Sequence, residues 1–198
     1  MKAILMCAAL AAASLSGCAG LSADVHTANP SAALQGDRSY TIARMPSQEA
    51  SADHPSFESV LRDELAKQGF VETAGQPAHY LLSIAYDTRP AGIDVSVKDC
   101  TPGDCVRQPD APFSLFGGRV YRHALTLRFF ERASGQEVYK VSAVSSDRDA
   151  DPLHAMPTLV KSALAKFPYD APPDWRVELR ADETSGVPTV TSVKPLQP

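Results

Sequence analysis

The sequence predicts a two-layer α+β domain, in which an antiparallel sheet carries two helices packed on one face. Apolar and polar residues alternate over 121–129, which is the period of a half-buried strand. Around 55–67 and 152–167, apolar residues instead recur every three or four positions, as on one face of a helix. Each helix then has one apolar stripe to bury, and one face of a sheet can cover both stripes.

The N-terminal part of the domain is predicted to contribute two strands. Residues 23–27 are predicted as a short strand and residues 29–37 as a loop. Ser39–Ala43 alternates polar and apolar residues and is predicted as a half-buried strand that ends before Pro46.

A first helix is predicted to open at Pro55 and to end at Gly69. Proline is tolerated in a first helical turn, and glycine is the usual left-handed cap. Glu58 and Arg62 lie four positions apart with opposite charges, so they are predicted to pair on the solvated face. The apolar stripe consists of Phe57, Val60, Leu61 and Leu65.

Two hairpins are predicted in the centre of the chain. The first is an insertion at about 91–118, which follows the strand-forming residues of 80–86. The second joins the clearest strand of the chain to 137–145 through a turn at Ser134 and Gly135. The residues of the clearest strand that should face the core are Tyr121, His123, Leu125, Leu127 and Phe129.

Cys100 and Cys105 lie within the insertion and are predicted to form a disulfide. Pro102 and Gly103 between them favour the two central positions of a type II turn, which brings the flanking residues together. A disulfide across so small a loop contributes about 2 kcal/mol in the chain-entropy treatment. A metal site is the weaker alternative, because the sequence lacks a second ligand pair at zinc spacing.

Phe113, Leu115 and Phe116 follow in the same insertion, in a loop bounded by proline and glycine. Three large apolar side chains in such a loop either pack against the sheet edge or stay exposed. Packing is favoured here, whereas exposure would make them a contact site for a partner.

The C-terminal part is predicted to contain a second helix and a tail. Asp151 is expected to cap the helix, whereas Pro157 is awkward inside it because an interior proline costs about 3 kcal/mol. The tail, 169–198, is rich in proline; Trp175–Leu179 is compatible with one strand, and the chain from Ala181 is predicted to be disordered. The apolar stripe of the helix consists of Leu153, Met156, Val160, Leu164 and Phe167.

The first 18 residues predict export and lipid attachment. Lys2 and the apolar run after it are typical of a secretory signal peptide, and the run is shorter than the about 20 residues that cross a bilayer. The run ends in a segment that resembles the bacterial lipobox, namely Leu15, Ser16, Gly17 and Cys18. We therefore expect residues 1–17 to be removed, Cys18 to be acylated and 18–22 to form a tether. An ordinary signal peptide with a chance cysteine is the alternative.

Acyl chains on Cys18 would hold the protein to a membrane surface. Ala19 stands where an aspartate favours inner-membrane retention in lipoproteins generally, so the lipobox resemblance implies the outer membrane, with the domain facing the periplasm. Loss of Lys2 leaves 18 basic residues against 23 acidic ones, with no basic run. This balance argues against binding of nucleic acid and of anionic lipid headgroups.

Recognisable catalytic and metal-binding motifs are absent from the sequence. His123 lies on an apolar strand face and is predicted to be a satisfied core histidine. Asp147, Asp149 and Asp151 alternate as at the start of a calcium loop, but Pro152 stands where such a loop requires glycine. No catalytic residue, metal or cofactor is therefore predicted.

Several short segments occur in a recognisable order along the chain. After the lipobox, they are Ser39-Tyr40-Thr41, Leu61-x-x-x-Leu65, Gly69-Phe70, Ala78-His79-Tyr80-Leu81-Leu82 and Lys166-Phe167-Pro168. This order resembles the bacterial lipoproteins grouped as domain of unknown function 4136, over about residues 23–168. Tyr139-Lys140-Val141 departs from the Trp-Arg-Gly that the family often has there. The resemblance implies a compact α+β domain on a lipid anchor, and it implies no reaction.

The sequence thus favours a non-enzymatic envelope lipoprotein that binds another envelope protein or scaffolds an assembly. A binder or carrier of a small apolar ligand or lipid is the alternative, and an enzyme is the third possibility. A filled core favours the first function, and an apolar pocket between helices and sheet favours the second. A polar cleft with coupled histidine and aspartate groups favours the third.

The disulfide is directly testable in protein taken from the periplasm. We expect Cys100 and Cys105 to resist thiol labelling until a reductant is added, because the oxidising compartment keeps such pairs bonded. Mass spectrometry counts the labels with and without reductant. Two labelled thiols in the unreduced sample would disprove the pairing.

Overall fold

The computed structural model describes residues 20–28, 34, 36–44, 54–74, 77–91, 119–182 and 186–196. Within these residues, eight strands form one sheet and two helices are present. The strands are β1 Leu21–Ala28, β2 Ser39–Ala43, β3 Val71–Glu72, β4 Tyr80–Pro90, β5 Tyr121–Glu131, β6 Glu137–Asp147, β7 Asp174–Arg180 and β8 Thr189–Pro195. The helices are α1 His54–Lys67 and α2 Pro152–Leu164.

The sheet is mixed, with the strand order β3-β2-β4-β5-β6-β1-β7-β8. The prediction of a purely antiparallel sheet was therefore wrong. Strand β2 pairs in parallel with both β3 and β4, because α1 carries the chain back along the sheet before it re-enters beside β2. From β4 onward, each pair of neighbours in the order β4-β5-β6-β1-β7-β8 is antiparallel.

Both helices lie on one face of the sheet. Helix α1 follows β2 and leads into β3, whereas α2 follows β6 and leads to β7, which lies beyond β1 in the sheet. Residues of both helices share one hydrophobic core with the inward-facing residues of the strands. This shared core places the two helices on the same side of the sheet.

The core lies between this face and the helices. Alternate residues of the central strands point into it, and Leu125, Leu127 and Phe129 are fully buried as predicted. Phe129 packs against four aromatic rings at centroid distances of 5.4–6.2 Å. These rings are Phe70, Tyr80, Tyr139 and Phe167. These rings join the aliphatic side chains of the strands and helices in one hydrophobic core.

Two buried tyrosines tie α2 to the sheet. The Tyr139 hydroxyl accepts the backbone N–H of Tyr169 at 2.9 Å, and the Tyr169 hydroxyl donates to the carbonyl of Ser162 at 2.5 Å. Burial raises the pKa of Tyr139 to about 12, because the interior disfavours a phenolate. Both hydroxyls are therefore hydrogen-bonded although their rings lie in the core.

The polar face of α1 differs from expectation. Glu58 is buried and pairs with Arg44 beyond the end of β2, and Arg62 instead pairs with Glu72 of β3. The predicted pair of Glu58 with Arg62 on a solvated face was therefore wrong. Each charged side chain thus pairs with a residue outside α1 rather than with the neighbour four positions away in the helix.

Helix α2 begins at Pro152, with Asp151 as its N-cap. The Asp151 carboxylate accepts the backbone N–H of Leu153 at 2.9 Å, which confirms the predicted cap. Pro157 lies inside the helix, and the helix continues through it to Leu164. Burial of eight residues of α2 stabilises the helix despite the hydrogen bond that Pro157 cannot donate.

The C-terminal tail forms the last two strands of the sheet. Strand β7 pairs with β1, and Trp175, Val177 and Leu179 are buried as the alternation suggested. The prediction of a disordered end from Ala181 was wrong for 189–195, because β8 pairs with β7 along its length. The apolar content of β8 is low since an edge strand needs only one neighbour for its hydrogen bonds.

The two edges of the sheet are poorly suited to pairing with another strand. Strand β3 has only two residues. Strand β8 contains an irregularity opposite Glu178 and Leu179, and it ends in Lys194 and Pro195. Short edges, bulges, lysine and proline are the devices that oppose edge-to-edge association.

The strand face can be tested at two adjacent residues of β5. Leu127 is fully buried, so Leu127→Ala should lower the free energy of unfolding by about 2–5 kcal/mol. Thr126 lies on the opposite face, where its hydroxyl bonds that of Ser142 at 2.9 Å, so Thr126→Ala should cost only about 1 kcal/mol. Urea unfolding of residues 20–198, which retain every described strand, measures both. A larger loss for Thr126→Ala would contradict the register.

Candidate functional site

The site residues predicted from sequence lie outside the described part of the chain. These are Leu15, Ser16, Gly17, Cys18, Cys100, Cys105, Phe113, Leu115 and Phe116. Lipid attachment, the disulfide and the partner contact therefore stay predictions. The described residues instead bring together a different group of polar side chains.

This group lies at one end of the sheet, which we call the polar end. Strand β1 and strand β5 begin there, strands β4 and β6 end there, and α2 begins beside them. Gly20, two positions after Cys18, lies at this end. The segment 92–118 also leaves and returns here, since Ala91 donates its N–H to the carbonyl of Val120 at 2.8 Å.

His123 is the buried centre of the polar end. Its side chain is 1% exposed, with Nδ1 2.9 Å from the Thr88 hydroxyl and Nε2 3.1 Å from Oδ1 of Asp147. A carboxylate can only accept, so Nε2 carries the proton that it shares with Asp147. Both ring nitrogens are engaged, which confirms the prediction of a satisfied core histidine.

Two successive turns lead into α2, and we call them the aspartate ladder. They are formed by Asp147, Asp149 and Asp151. Oδ1 of Asp147 accepts the N–H of Asp149 at 2.8 Å, and Oδ1 of Asp149 accepts the N–H of Asp151 at 2.9 Å. Each carboxylate thus satisfies the backbone two residues further on. The predicted polar turn is confirmed, and the ladder holds Asp147 at the end of β6.

A cavity of about 580 Å³ opens beside this ladder. Its volume lies within the roughly 300–1,000 Å³ that small-molecule sites occupy. It is bounded by the start of β1, the end of β6, the first turns of α2 and the connection between β7 and β8. The lining residues are Gly20, Leu21, Ser22, Ser145, Ser146, Asp147, His154, Ala155, Pro157, Thr158, Ala181, Asp182, Gly186 and Pro188.

Ser145 is the unusual residue of this cavity. It is 9% exposed, and its hydroxyl has no hydrogen-bond partner in the described part of the chain. It lies directly opposite His123 in the register, but both nitrogens of that ring are already engaged. A buried hydroxyl without a partner costs about 1–3 kcal/mol. The oxygen itself is enclosed by protein, so Ser145 contributes other atoms to the cavity wall.

The charge of the cavity wall is negative. Asp147 and Asp182 contribute carboxylates, and none of the described lining residues is a lysine or an arginine. His154 is half exposed, with its nitrogens 4.0 Å from Oδ2 of Asp147 and 3.7 Å from Oδ2 of Asp149, beyond hydrogen-bond range. Oδ2 of Asp147 is thus available, because the bonds to His123 and Asp149 are both made by Oδ1.

These groups do not form a catalytic arrangement of a familiar kind. A serine nucleophile requires a base that accepts its proton, and Ser145 contacts no such base in the described residues. No cluster of three or more histidine, cysteine, aspartate or glutamate side chains suited to a metal ion occurs within the described ranges. Among the same residues, no helix is both long and apolar enough to cross a bilayer.

Sequence reasoning identified two members of the polar end and missed the cavity. The alternating aspartates and the histidine on an apolar face were visible, and both were correctly interpreted as structural. Ser145, His154 and Asp182 carried no signal, because they come from β6, α2 and the β7–β8 connection. Only the position of Ser145 at the end of an apolar alternation could have marked it as a buried polar residue.

Comparison with known families decides where the chain belongs. The model of the domain of unknown function DUF4136 matches residues 24–169, which cover both helices and most of the sheet. The chain belongs to the DUF4136 family. The resemblance seen in the sequence is thereby confirmed for the domain, and a search of curated proteins found no match to this DUF4136 chain.

Solved structures are similar to this DUF4136 domain at low sequence identity. A PDZ domain protein from Parabacteroides distasonis is 11% identical with a TM-score of 0.51, covering 86% of this chain and 42% of that chain. The DUF4136 chain thus spans less than half the length of that protein. The PelC dodecamer from Paraburkholderia phytofirmans is 17% identical with a TM-score of 0.45, covering 72% of this chain and 95% of that chain.

Asp147 is predicted to stabilise the polar end. Asp147→Ala removes the acceptor for buried His123 and for the N–H of Asp149, so the free energy of unfolding should fall by about 1–3 kcal/mol. Asp87→Ala is the control, because its exposed carboxylate lies 3.6 Å from Arg89 and should contribute less than about 0.5 kcal/mol. Urea unfolding gives both values. Equal losses would contradict the proposed role of Asp147.

Proposed function

We propose that this DUF4136 protein is a lipid-anchored envelope lipoprotein of the outer membrane that binds another envelope protein without catalysing a reaction. The observation that carries the proposal is the uncovered face of the sheet. Both helices occupy the other face, and no described element packs over the opposite surface of β4, β5, β6 and β1. A surface of this kind suits a protein partner better than a small molecule, which requires a concave site.

The centre of the uncovered face carries mostly small side chains. Ala85, Thr126 and Ser142 lie side by side on β4, β5 and β6, and His26 of β1 continues the row. Charged side chains surround this row, among them Asp87, Arg122, Arg128, Lys140, Asp24 and Arg176. These charges would give specificity to a protein partner of complementary charge.

The filled core also favours a protein partner over an apolar ligand. Phe129 and its aromatic neighbours occupy the space between the helices and the central strands, where an acyl chain or similar ligand would have to enter. The cavity at the polar end has carboxylates in its wall, which disfavour an apolar ligand.

The proposed anchor fits the geometry of the polar end. Gly20 lies there, so a membrane held by acyl chains on Cys18 would face the polar end rather than the uncovered face. The uncovered sheet face would then be roughly perpendicular to the membrane plane. It would remain open to periplasmic partners.

Anchorage is tested by Cys18→Ala. Without the thiol no diacylglyceryl group can be attached, so the protein should accumulate as an unprocessed precursor or leave the membrane fraction. Cell fractionation and the mass of the purified protein measure both results. Cys7→Ala, in the apolar run, is the matched control and should behave like the unchanged protein. Unaltered processing and membrane association of Cys18→Ala would refute the anchor.

Partner binding is tested by a photo-reactive amino acid placed at Thr126 in intact cells. We expect a discrete protein adduct, because Thr126 lies at the centre of the uncovered face. The control position is Val71, which is 62% exposed at the far edge of the sheet. Identical adducts at both positions, or none at Thr126, would contradict a partner on this face.

A further inference from the structure

We propose that the partner of the uncovered face is an acidic protein surface, which binds across β4, β5 and β6 through Arg122, Arg128 and Lys140. This inference rests on the proposed function and adds the chemistry of the partner. Three observations carry it: an excess of positive charge on this part of the face, two cations without an ionic partner, and an apolar pair beside one of the arginines.

Positive charge predominates on the outward side of these three strands, although the whole chain has a formal net charge of −4. Two carboxylates lie on this side, and each is already beside an arginine: Asp87 is 3.6 Å from Arg89, and Glu137 bonds Arg128. The four cations on this side thus exceed the carboxylates by two, and their field selects an anionic partner. The four cations are Arg89, Arg122, Arg128 and Lys140.

Two of these cations make no ion pair within the described residues. Arg122 lies directly opposite Arg89 in the register, and Lys140 lies directly opposite Arg128. Like charges in such cross-strand positions destabilise a sheet. Carboxylates supplied by a partner would relieve both repulsions, and an arginine can bind a carboxylate through two parallel hydrogen bonds.

The other half of the uncovered face differs, because its charged groups already contact each other. Arg176 makes two hydrogen bonds to the Asp24 carboxylate, at 2.8 and 3.1 Å. Nδ1 of His26 lies 2.7 Å from an oxygen of Asp174. Both carboxylates are thus satisfied between β1 and β7, so the unpaired cations of β5 and β6 locate the acidic contact.

The residues between the cations allow a partner to approach the sheet closely. Arg122 and Arg128 are six positions apart on β5, which corresponds to about 20 Å along a strand. The outward residues between them are Ala124 and Thr126, and Ser142 lies beside Thr126. Because these side chains are small and uncharged, the carboxylates of one partner can reach both ends of the face.

An apolar pair lies beside Arg128 on the same face. Leu81 and Phe130 are opposite each other on β4 and β5, and both are partly buried without belonging to the core. The guanidinium carbon of Arg128 lies 5.0 Å from the centre of the Phe130 ring. Arginine and aromatic side chains are enriched where interfaces gain most of their binding energy. This pair favours a protein over anionic lipid headgroups, which offer charge without an apolar side chain.

The first experiment reverses two charges in the full-length protein that carries the photo-reactive residue at Thr126. Arg122→Glu combined with Lys140→Glu should reduce the adduct by at least about tenfold, because the new carboxylates repel an acidic partner. Arg132→Glu combined with Arg148→Glu is the matched control. It changes the net charge equally at two exposed residues outside the three strands, and it should retain the adduct.

Stability separates lost binding from a damaged fold. The double reversal places a carboxylate opposite Arg89 and another opposite Arg128, so the midpoint of urea unfolding should not fall. If it does fall, Arg122→Gln with Lys140→Gln, which only removes charge, should still reduce the adduct. An undiminished adduct in folded variants would overturn the acidic contact. An adduct with the mass of two copies of this chain would also overturn it.

Polymers and vesicles test the sign and the class of the partner. Residues 20–198, which retain every described strand and helix, are mixed with labelled poly-L-glutamate, poly-L-lysine or phosphatidylglycerol vesicles. We expect poly-L-glutamate to bind, to bind less as salt screens the charges, and to be lost in the double reversal. Preference for poly-L-lysine would overturn the acidic contact. Retention on the vesicles without binding of poly-L-glutamate would assign the face to a membrane and also overturn it.

The outcomes distinguish this inference from the proposed function. If Thr126 gives an adduct that the double reversal leaves unchanged, only the acidic contact fails. If poly-L-glutamate binds through Arg122 and Lys140 but Thr126 gives no adduct, the acidic preference stands and the envelope partner fails. If Cys18→Ala refutes the anchor, the adduct and the binding of poly-L-glutamate still decide the acidic contact.

Discussion

The packing of Phe129 against the two helices is the contact on which the rest of the structure depends. Its ring lies between Phe70, which follows α1, and Phe167, which follows α2, so one strand residue joins both helix ends. Aromatic pairs at these distances add about 0.5–1.5 kcal/mol each beyond the area that they bury. The position of both helices over the central strands follows from this cluster.

The polar end is a consequence of the same strand alternation. The period that buries Leu125 and Leu127 also points His123 toward the helices, and on β6 it points Ser145 and Asp147 the same way. Beyond the aromatic cluster, the helix side is lined by the first turns of α2 rather than by large rings. Polar groups can therefore lie there, provided that they find partners. His123 and Asp147 bond each other, whereas Ser145 remains without a partner.

The two faces of the sheet carry different surfaces. The uncovered face has mostly small side chains at its centre and charges around them, which suit a protein partner of complementary charge. The cavity is concave, and Asp147, Asp182 and His154 are among its lining residues. Because the sheet separates them, a partner on the uncovered face would leave the cavity open. The blunted edges β3 and β8 leave faces rather than edges for association.

The sequence by itself determined the features that depend on residues close together along the chain. The period of β5 predicted which residues are buried, Asp151 predicted the start of α2, and the order of segments predicted the DUF4136 family. Only the tertiary structure decided the parallel pairing of β2 with β4, the partner of Glu58 and the strand β8. Each of these features depends on contacts between residues that are distant in sequence. Such contacts form only when the tertiary fold brings the two elements together. The cavity was undetectable for the same reason, since β1, β6, α2 and the β7–β8 connection form it only after the sheet has assembled.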